Sequence, residues 1–227
     1  MRKGAIELVT IAFIPARGGS KTLPRKNLAE IGGVSLVGRA VRLAQSVDAI
    51  DVVVVSSDDE EVLDEARSHG ATADTRPAGL ARDDTPTLEV AREYLARDPS
   101  VETVVVLQPT SPLRAAEDVR ACLARLTDAT SAVTVTAVEH PPEWTFRLGA
   151  GDRLEPLHGW GAVVDRRQDA AATFRLNGAV YAVKAARLRA GHGILGHETV
   201  AVVMPRERSI DIDDELDLAL ARMVFRR

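Results

Sequence analysis

Apolar residues along this chain gather into short unbroken runs, separated by stretches where apolar and charged positions recur at helical spacing. Runs of strand length occur at Ile11 to Ala16, Val52 to Ser56, Thr103 to Gln108, Ala132 to Ala137, Val180 to Val183 and Val200 to Met204. Because these runs do not alternate with polar residues, they predict strands covered on both faces, as in a largely parallel sheet. Between them, the spacing predicts amphipathic helices over Leu36 to Ser46, Asp59 to His69, Thr87 to Arg97, Glu117 to Leu126 and Asp214 to Val224. The last has acids crowded into its first turn, where they complement the helix dipole. Alternating strands and helices predict an α/β, doubly wound architecture.

One stretch breaks the pattern. From His140 to Arg175 the chain carries Pro141-Pro142, several glycines, Trp144 and Trp160, and no clear helical period. It reads as a projecting hairpin or arm within a single domain spanning 1–227. Aromatic side chains exposed on such an arm predict a subunit contact, hence a homodimer; the alternative is a long surface loop whose tryptophans fold back on the core.

A chain of 227 residues, 45% hydrophobic and 27% charged, is long enough for one sizeable core. Its net charge of -4 argues against docking on nucleic acid or an anionic membrane and leaves a small molecule as the expected ligand. Cys122 is the only cysteine, so neither an intrachain disulfide nor a cysteine zinc site is available, which fits a reducing, cytoplasmic compartment. On a predicted helix among Ala and Leu, it reads as a small buried hydrophobe. Met1-Arg2-Lys3 before the stretch Ala5 to Ala16 has the outline of a secretory signal, but Glu7 interrupts it and it runs straight into a glycine-rich loop. No other stretch approaches the ~20 apolar residues that span a bilayer. His69, His140, His158, His192 and His197 lack metal-ligand spacing, and Ser20 lies in no GxSxG elbow.

The strongest local signal follows the first predicted strand: Arg17-Gly18-Gly19-Ser20-Lys21-Thr22-Leu23-Pro24-Arg25-Lys26-Asn27. Four cations and no acid stand here beside two glycines that let backbone N–H groups turn toward an anion. A polyphosphate is the natural guest, although such a loop can also be merely solvated. Neither GxxxxGK[ST] nor GxGxxG is present, which removes the main support for kinase, ATPase and dinucleotide-binding readings.

The second signal is Ser209-Ile210-Asp211-Ile212-Asp213-Asp214-Glu215-Leu216-Asp217. If Ile210 to Asp213 is extended, Asp211 and Asp213 share one face while Ile210 and Ile212 point inward. Two convergent carboxylates can hold Mg²⁺, which prefers hard oxygen ligands and shares itself with substrate phosphates. Capping of the last helix by Asp213 or Asp214 is the competing explanation, but it leaves Asp211 unaccounted for. The acids Asp58-Asp59-Glu60-Glu61 read as a helix start, with Asp58 at a strand end an outside candidate. A cationic phosphate loop and a separate carboxylate pair imply metal-assisted chemistry on a nucleoside triphosphate.

Ile14-Pro15-Ala16-Arg17-Gly18-Gly19-Ser20-Lys21, continued by Leu23-Pro24-Arg25-Lys26-Asn27, resembles the opening signature of the acylneuraminate cytidylyltransferases. Matching blocks follow in order: Val55-Ser56-Ser57-Asp58, Arg76-Pro77-Ala78 with Asp83, Leu107-Gln108-Pro109-Thr110-Ser111-Pro112-Leu113-Arg114, Arg175-Leu176-Asn177-Gly178-Ala179-Val180-Tyr181 and Ser209-Ile210-Asp211-Ile212-Asp213. The resemblance implies a Rossmann-like nucleotide-diphospho-sugar transferase fold, a homodimer built through the arm, and transfer of CMP from CTP to the anomeric hydroxyl of an acidic 2-keto sugar. It implies that Arg17, Gly18, Ser20, Lys21 and Lys26 hold the triphosphate, with Asn27, Arg76 and Thr87 near the nucleoside. Asp211 and Asp213 then hold Mg²⁺, and Arg17, Lys26 and both aspartates count as catalytic. Gln108, Arg167, Arg175, Asn177 and Tyr181 line the acceptor site. No His base is supplied, so a carboxylate such as Asp211 or metal-bound solvent takes the proton.

The departures fall where acceptor choice is made. In the family an Arg-Gln before the Asn-Gly block is followed by Leu-Pro; here Arg167-Gln168 is followed by Asp169-Ala170-Ala171-Ala172, a smaller and more acidic wall. Another acidic acceptor, such as a phosphonate, therefore stays open, as does a nucleotide-binding protein without turnover, against which the intact cations and aspartates argue.

Overall fold

A computed structural model describes residues 8–19, 22–80, 82 and 85–226. Ser20, Lys21 and Asp83, and residues 1–7 of the signal-like amino end, lie outside the described residues. In chain order the elements are β1 (Val9–Pro15), the short pair β2 (Glu30–Ile31) and β3 (Val34–Ser35), α1 (Leu36–Gln45), β4 (Val52–Ser57), α2 (Glu60–Ser68), β5 (Thr72–Thr75), α3 (Thr87–Arg97), β6 (Val101–Val106), α4 (Ala116–Ala124) and β7 (Ser131–Ala137). There follow β8 (Phe146–Leu148), β9 (Leu154–Pro156), β10 (Phe174–Lys184), α5 (Ala185–Arg189), β11 (Thr199–Val203) and α6 (Glu215–Phe225).

Seven strands form one sheet in the order β11-β7-β10-β6-β1-β4-β5. Neighbours pair in parallel except β10, which runs antiparallel to both β6 and β7. The carboxyl ends of the six parallel strands and the amino end of β10 consequently meet at one edge, where α/β sheets place their ligands.

Both faces of this sheet are covered, which is why its strands are apolar throughout. Along β1, Ala12 and Ile14 pack into one buried cluster with α1, α2 and α4, while Ile11 and Phe13 pack into another with α3 and α5. β4 divides the same way, Val53 and Val55 against Val54. A third cluster, Leu23, Ile31, Leu36, Ile212, Leu218 and Ala221, seats α6 beside the β2–β3 pair. Local chemistry sets the helix starts: the Ser35 hydroxyl accepts from the Gly38 N–H at 2.9 Å, and Asp59 accepts from the Glu61 N–H at 2.9 Å. Asp214 and Asp217 form a reciprocal cap on α6. Among the described residues, no helix is long and apolar enough to cross a membrane.

The expected strands and helices are present, with additions. β5 is an edge strand of Thr-Ala-Asp-Thr, with no apolar run to announce it. The irregular stretch does contain a hairpin, β8 with β9, followed by 3-10 turns, but Phe174 and Arg175 belong to β10 and not to the arm. Trp144 folds onto this segment, its Nε1–H donating to the Val164 carbonyl at 2.6 Å, whereas Trp160 is 67% exposed.

β10 extends further toward its amino end than its apolar run because it carries a break in register. Leu176 faces Val135 and Tyr181 faces Val133, so Asn177 to Val180 bulge from the ladder around Gly178, whose φ is +74°. Buried Asn177 takes over the lost pairing. Its Oδ1 accepts from Thr134 Oγ1 at 2.7 Å and from the Ala179 N–H at 3.2 Å, and its Nδ2 donates to Ser209 Oγ at 2.9 Å. Truncating it leaves several buried groups unsatisfied, each a penalty with no solvent to relieve it. Asn177→Ala is expected to lower stability by about 3 kcal/mol, read in urea denaturation as a lower midpoint with unchanged slope.

Candidate active site

The cationic loop leaves β1 and is tied down from below. The Gly18 N–H donates to Asp58 Oδ1 at 3.0 Å, and a Cβ on Gly18 would lie 2.6 Å from the Asp59 Cβ, so no larger residue fits there. Asp58 therefore anchors the loop, and the Gly18 N–H expected to face an anion is held by this carboxylate. Asn27 is buried and donates from Nδ2 to the Arg17 carbonyl at 2.7 Å, fixing the turn from within. Arg25, in the left-handed region at φ 56°, swings out to pair with Glu61.

Two clefts open above this loop and share Pro15, Arg17 and Thr87. The first, of ≈ 130 Å³, adds Gly19, Lys26, Asn27, Gln108 and Thr110. The second, of ≈ 250 Å³, adds Arg76, Thr85 and Val90. Thr87 heads α3, so the positive end of that helix adjoins both clefts. Arg76 is buried and donates from Nη2 to the Ser56 carbonyl at 3.0 Å. Burial lowers its pKa from the usual arginine value, with Arg17 acting in the same direction and Asp58 and Asp74 opposing. Every described residue expected to bind nucleotide, except Gly18, thus walls these clefts.

The carboxylate segment closes over the loop from the other end of the chain. Lys26 Nζ donates to the Ile212 carbonyl at 2.9 Å and to Asp213 Oδ1 at 3.2 Å, and Thr22 Oγ1 donates to the Asp213 carbonyl at 2.6 Å. The Ile212 N–H donates to the Thr110 carbonyl at 2.8 Å, and Ile212 itself is buried. Asp214 and Asp217 are the residues spent on capping, which leaves Asp211 and Asp213 for chemistry.

Asp211 is mostly buried, and its Oδ1 has no hydrogen-bond partner. Burial raises its pKa above the usual carboxylate value; Asp213 and Asp217 add to this, while a hydrogen bond from Thr110 and the charge of Lys26 oppose it. A buried carboxylate oxygen with no donor is what a hard cation would satisfy, and a pair of carboxylates suits an ion that also takes phosphate ligands. Among the described residues no cluster of three His, Cys, Asp or Glu side chains could hold a metal.

On the far side of the pair lies a cavity of ≈ 590 Å³, walled by Asp211 and Asp213 with Arg175, Arg206 and Glu139 and by Leu220 and Val224 of α6. Arg175 is exposed there, and Arg206 pairs with Glu139 at 2.9 Å. The expected acceptor residues separate. Gln108 is in the smaller cleft, Arg175 in the large cavity, and half-buried Tyr181 is near enough to Asp211 for its charge to help burial raise the phenol pKa. Asn177 is committed to the β10 bulge, and Arg167 is exposed on the 3-10 turn Arg167–Asp169, outside the residues that wall these cavities. Gly178 joins the two sides: a Cβ there would lie 3.2 Å from Gln108 Oε1 and 3.3 Å from Asp211 Oδ2.

Sequence reasoning gave no role to Arg114, which is fully enclosed and donates from Nη1 to the Gln108 carbonyl at 2.5 Å and the Ala179 carbonyl at 3.1 Å. It fastens the cleft wall to the bulge. Its place in the Leu107–Arg114 block was the only signal, since nothing in the residues marks a charge as buried. Glu139, Arg206, Leu220 and Val224 were likewise unmarked, because only the packing of α6 brings them together.

The raised pKa of Asp211 has a consequence for the metal-free protein. A carboxyl that binds its proton more tightly when folded costs stability above its folded pKa, and the cost fades as pH falls through that value. Asp211→Asn is therefore expected to raise the thermal midpoint at pH 7, with the gain shrinking toward acid. A midpoint that drops at neutral pH would show that Lys26 and Thr110 outweigh burial.

Comparison with known proteins agrees with this fold. The cytidylyltransferase family profile matches residues 11–147. The chain is 31% identical over 221 residues to N-acylneuraminate cytidylyltransferase A of Danio rerio, covering 92% of this chain but 49% of that protein, so it spans about half of that relative's length. It is 28% identical over 223 residues to the CMP-N,N'-diacetyllegionaminic acid synthase of Legionella pneumophila, covering 95% of each. The structure of a CMP:2-keto-3-deoxy-manno-octonic acid synthetase complexed with CTP superposes with a TM-score of 0.73 over 96% of this chain and 98% of that one at 17% identity, which speaks for the fold alone. With more than half of its length matched by the profile, the chain belongs to the cytidylyltransferase family of nucleotidyltransferases.

Proposed function

We propose that this protein transfers CMP from CTP to the anomeric hydroxyl of a 2-keto sugar acid of the sialic-acid type, releasing pyrophosphate, as a cytoplasmic homodimer that uses Mg²⁺. The observation that carries this reading is the position of Asp211 and Lys26 at the junction between a cationic cleft and a separate, larger cavity. A donor nucleotide and an acceptor each have a compartment, with the reacting phosphorus between them. The Danio rerio and Legionella pneumophila relatives, named for an acylneuraminate and a diacetyllegionaminic acid, favour a nonulosonate acceptor.

In this reading Arg17 and Lys26 steady the triphosphate and Arg76 and Thr87 border the nucleoside. Arg175 meets the acceptor's carboxylate in the large cavity. As the sugar oxygen bonds to the α-phosphorus, the bond from that phosphorus to pyrophosphate breaks, and the hydroxyl passes its proton to a carboxylate such as Asp211 or to solvent. Asp211 and Asp213 hold the cation, which when bound neutralises charge growing on the phosphates. Exposed Trp160, Leu148 and Leu154 on the arm provide the apolar surface for the dimer contact.

The test is pyrophosphate release from CTP with Mg²⁺ across a panel of nonulosonates and phosphonates, with ATP, GTP and UTP as controls. Release is expected with CTP and a nonulosonate, and Lys26→Ala and Asp211→Ala are each expected to lower it by about 10²-fold or more. Release with a phosphonate alone would replace the acceptor, and release unaffected by either substitution would sink the site assignment. For the assembly, Trp160→Asp is expected to shift sedimentation from dimer toward monomer.

A further inference from the structure

On the face of the sheet covered by α1, away from the clefts described above, a pocket of ≈ 250 Å³ is walled by Arg39, Arg42 and Arg114 with Val34, Ala40, Leu43 and Pro112. Among the described residues its walls include no acid. Arg114 is 5% exposed, and its Nε–H has no acceptor; the Nε–H of Arg39 is buried and equally without one. Buried donors of this kind are rare unless something absent from the protein itself satisfies them.

Other guanidinium atoms of these residues are held by the protein. Arg39 donates from Nη1 to the Ile31 carbonyl at 3.2 Å and lies 4.3 Å from the centre of the Phe225 ring, an arrangement that fixes its orientation. Arg42 donates from Nε to His69 Nδ1 at 3.3 Å. Of the acids nearby, Asp118 is engaged with Arg208 at 2.8 Å and the Ala115 N–H at 2.8 Å, and Glu65 with Ser35 at 2.6 Å and His69 at 3.1 Å, while Asp211 walls the large cavity and not this pocket. The arginines also repel one another. Burial pushes Arg114 down to about 9, with Arg39 adding to the effect and Asp211 and Asp118 opposing it, and burial followed by Arg42 lowers Arg39.

We propose that this three-arginine pocket is a binding site for a phosphate-type oxyanion, distinct from the nucleotide clefts. A tetrahedral anion there relieves the mutual repulsion of the three charges, and the Nε–H groups of Arg39 and Arg114, now covered by the packed walls, turn onto it as it enters. It leaves Nη1 of Arg114 on the carbonyls of Gln108 and Ala179. Occupation therefore stiffens the wall of the nucleotide cleft and the bulge that carries Gly178, without competing for the cleft itself.

The test follows the side-chain Nε–H resonances of Arg39 and Arg114 by NMR while orthophosphate is added at constant ionic strength, with glycerol 3-phosphate as a second arm to separate a free anion from a phosphomonoester. A saturable shift of both resonances with either probe is expected. Arg42→Glu is expected to weaken it by at least about tenfold, with Arg42→Gln intermediate and as a control should the reversed charge disturb α1. Because Arg39 and Arg42 line neither nucleotide cleft, a shift of both resonances that Arg42→Glu weakens is not mimicked by anion binding there, and its failure would leave the transferase reading intact. Shifts that do not saturate with either probe, or that survive Arg42→Glu at full affinity, would overturn the proposal.

Discussion

A single ammonium group joins the two ends of this chain. Lys26, on the loop after the first strand, reaches the Ile212 carbonyl and the Asp213 carboxylate on the segment that precedes the last helix. Most of its side chain is covered, whereas that of Asp213 is 80% exposed, so the contact is half packing and half solvent-facing charge. Worth little as an isolated surface pair, it matters because it sets the distance between a cationic cleft and a carboxylate pair. Thr22 and Thr110 add hydrogen bonds to the same segment, which removes its freedom to drift away from the cleft.

Everything else at the sheet edge serves to hold groups of like charge close without collapse. On one side Arg17, Lys26 and Arg76 crowd together, and fixed acids keep the loop in place: Asp58 under Gly18, Asp59 at the head of α2. On the other side Asp211 is buried near Asp213 and Asp217, and Lys26 and Thr110 offset part of that cost. Under the proposed function, such a site suits a ligand that brings both signs, a polyphosphate with its counter-ion, since either alone leaves one half unbalanced.

Much of the fold was legible because covering both faces of a parallel sheet demands continuous apolar strands, and Ile11 to Ala16 or Val52 to Ser56 read unmistakably that way. β5 was not, because an edge strand has one neighbour and tolerates Thr and Asp. The amino half of β10 was hidden for a different reason: its ladder is interrupted, and a buried asparagine supplies what backbone pairing does not. At the site, the loop and the aspartates were legible because their charge had no structural excuse. Asn177 was legible as part of a block but not in its structural task, since a buried amide and a ligand-binding amide look the same in sequence.

That distinction between holding and binding also orders the arginines. Arg175 stands exposed in the large cavity and Arg114 is sealed beneath the cleft, yet both belong to blocks with the same resemblance. Arg114 holds the Gln108 and Ala179 carbonyls with its Nη1 and lines neither nucleotide cleft, so it acts there by fixing where Gln108 and Gly178 sit. Its charge is tolerated there because Asp211 and Asp118 lie close enough to stabilise it electrostatically. Asp211 thus offsets part of the cost of burying the Arg114 charge. A neutral replacement of Asp211 would therefore be felt at Arg114, and through it at the Gln108 and Ala179 carbonyls that Arg114 holds.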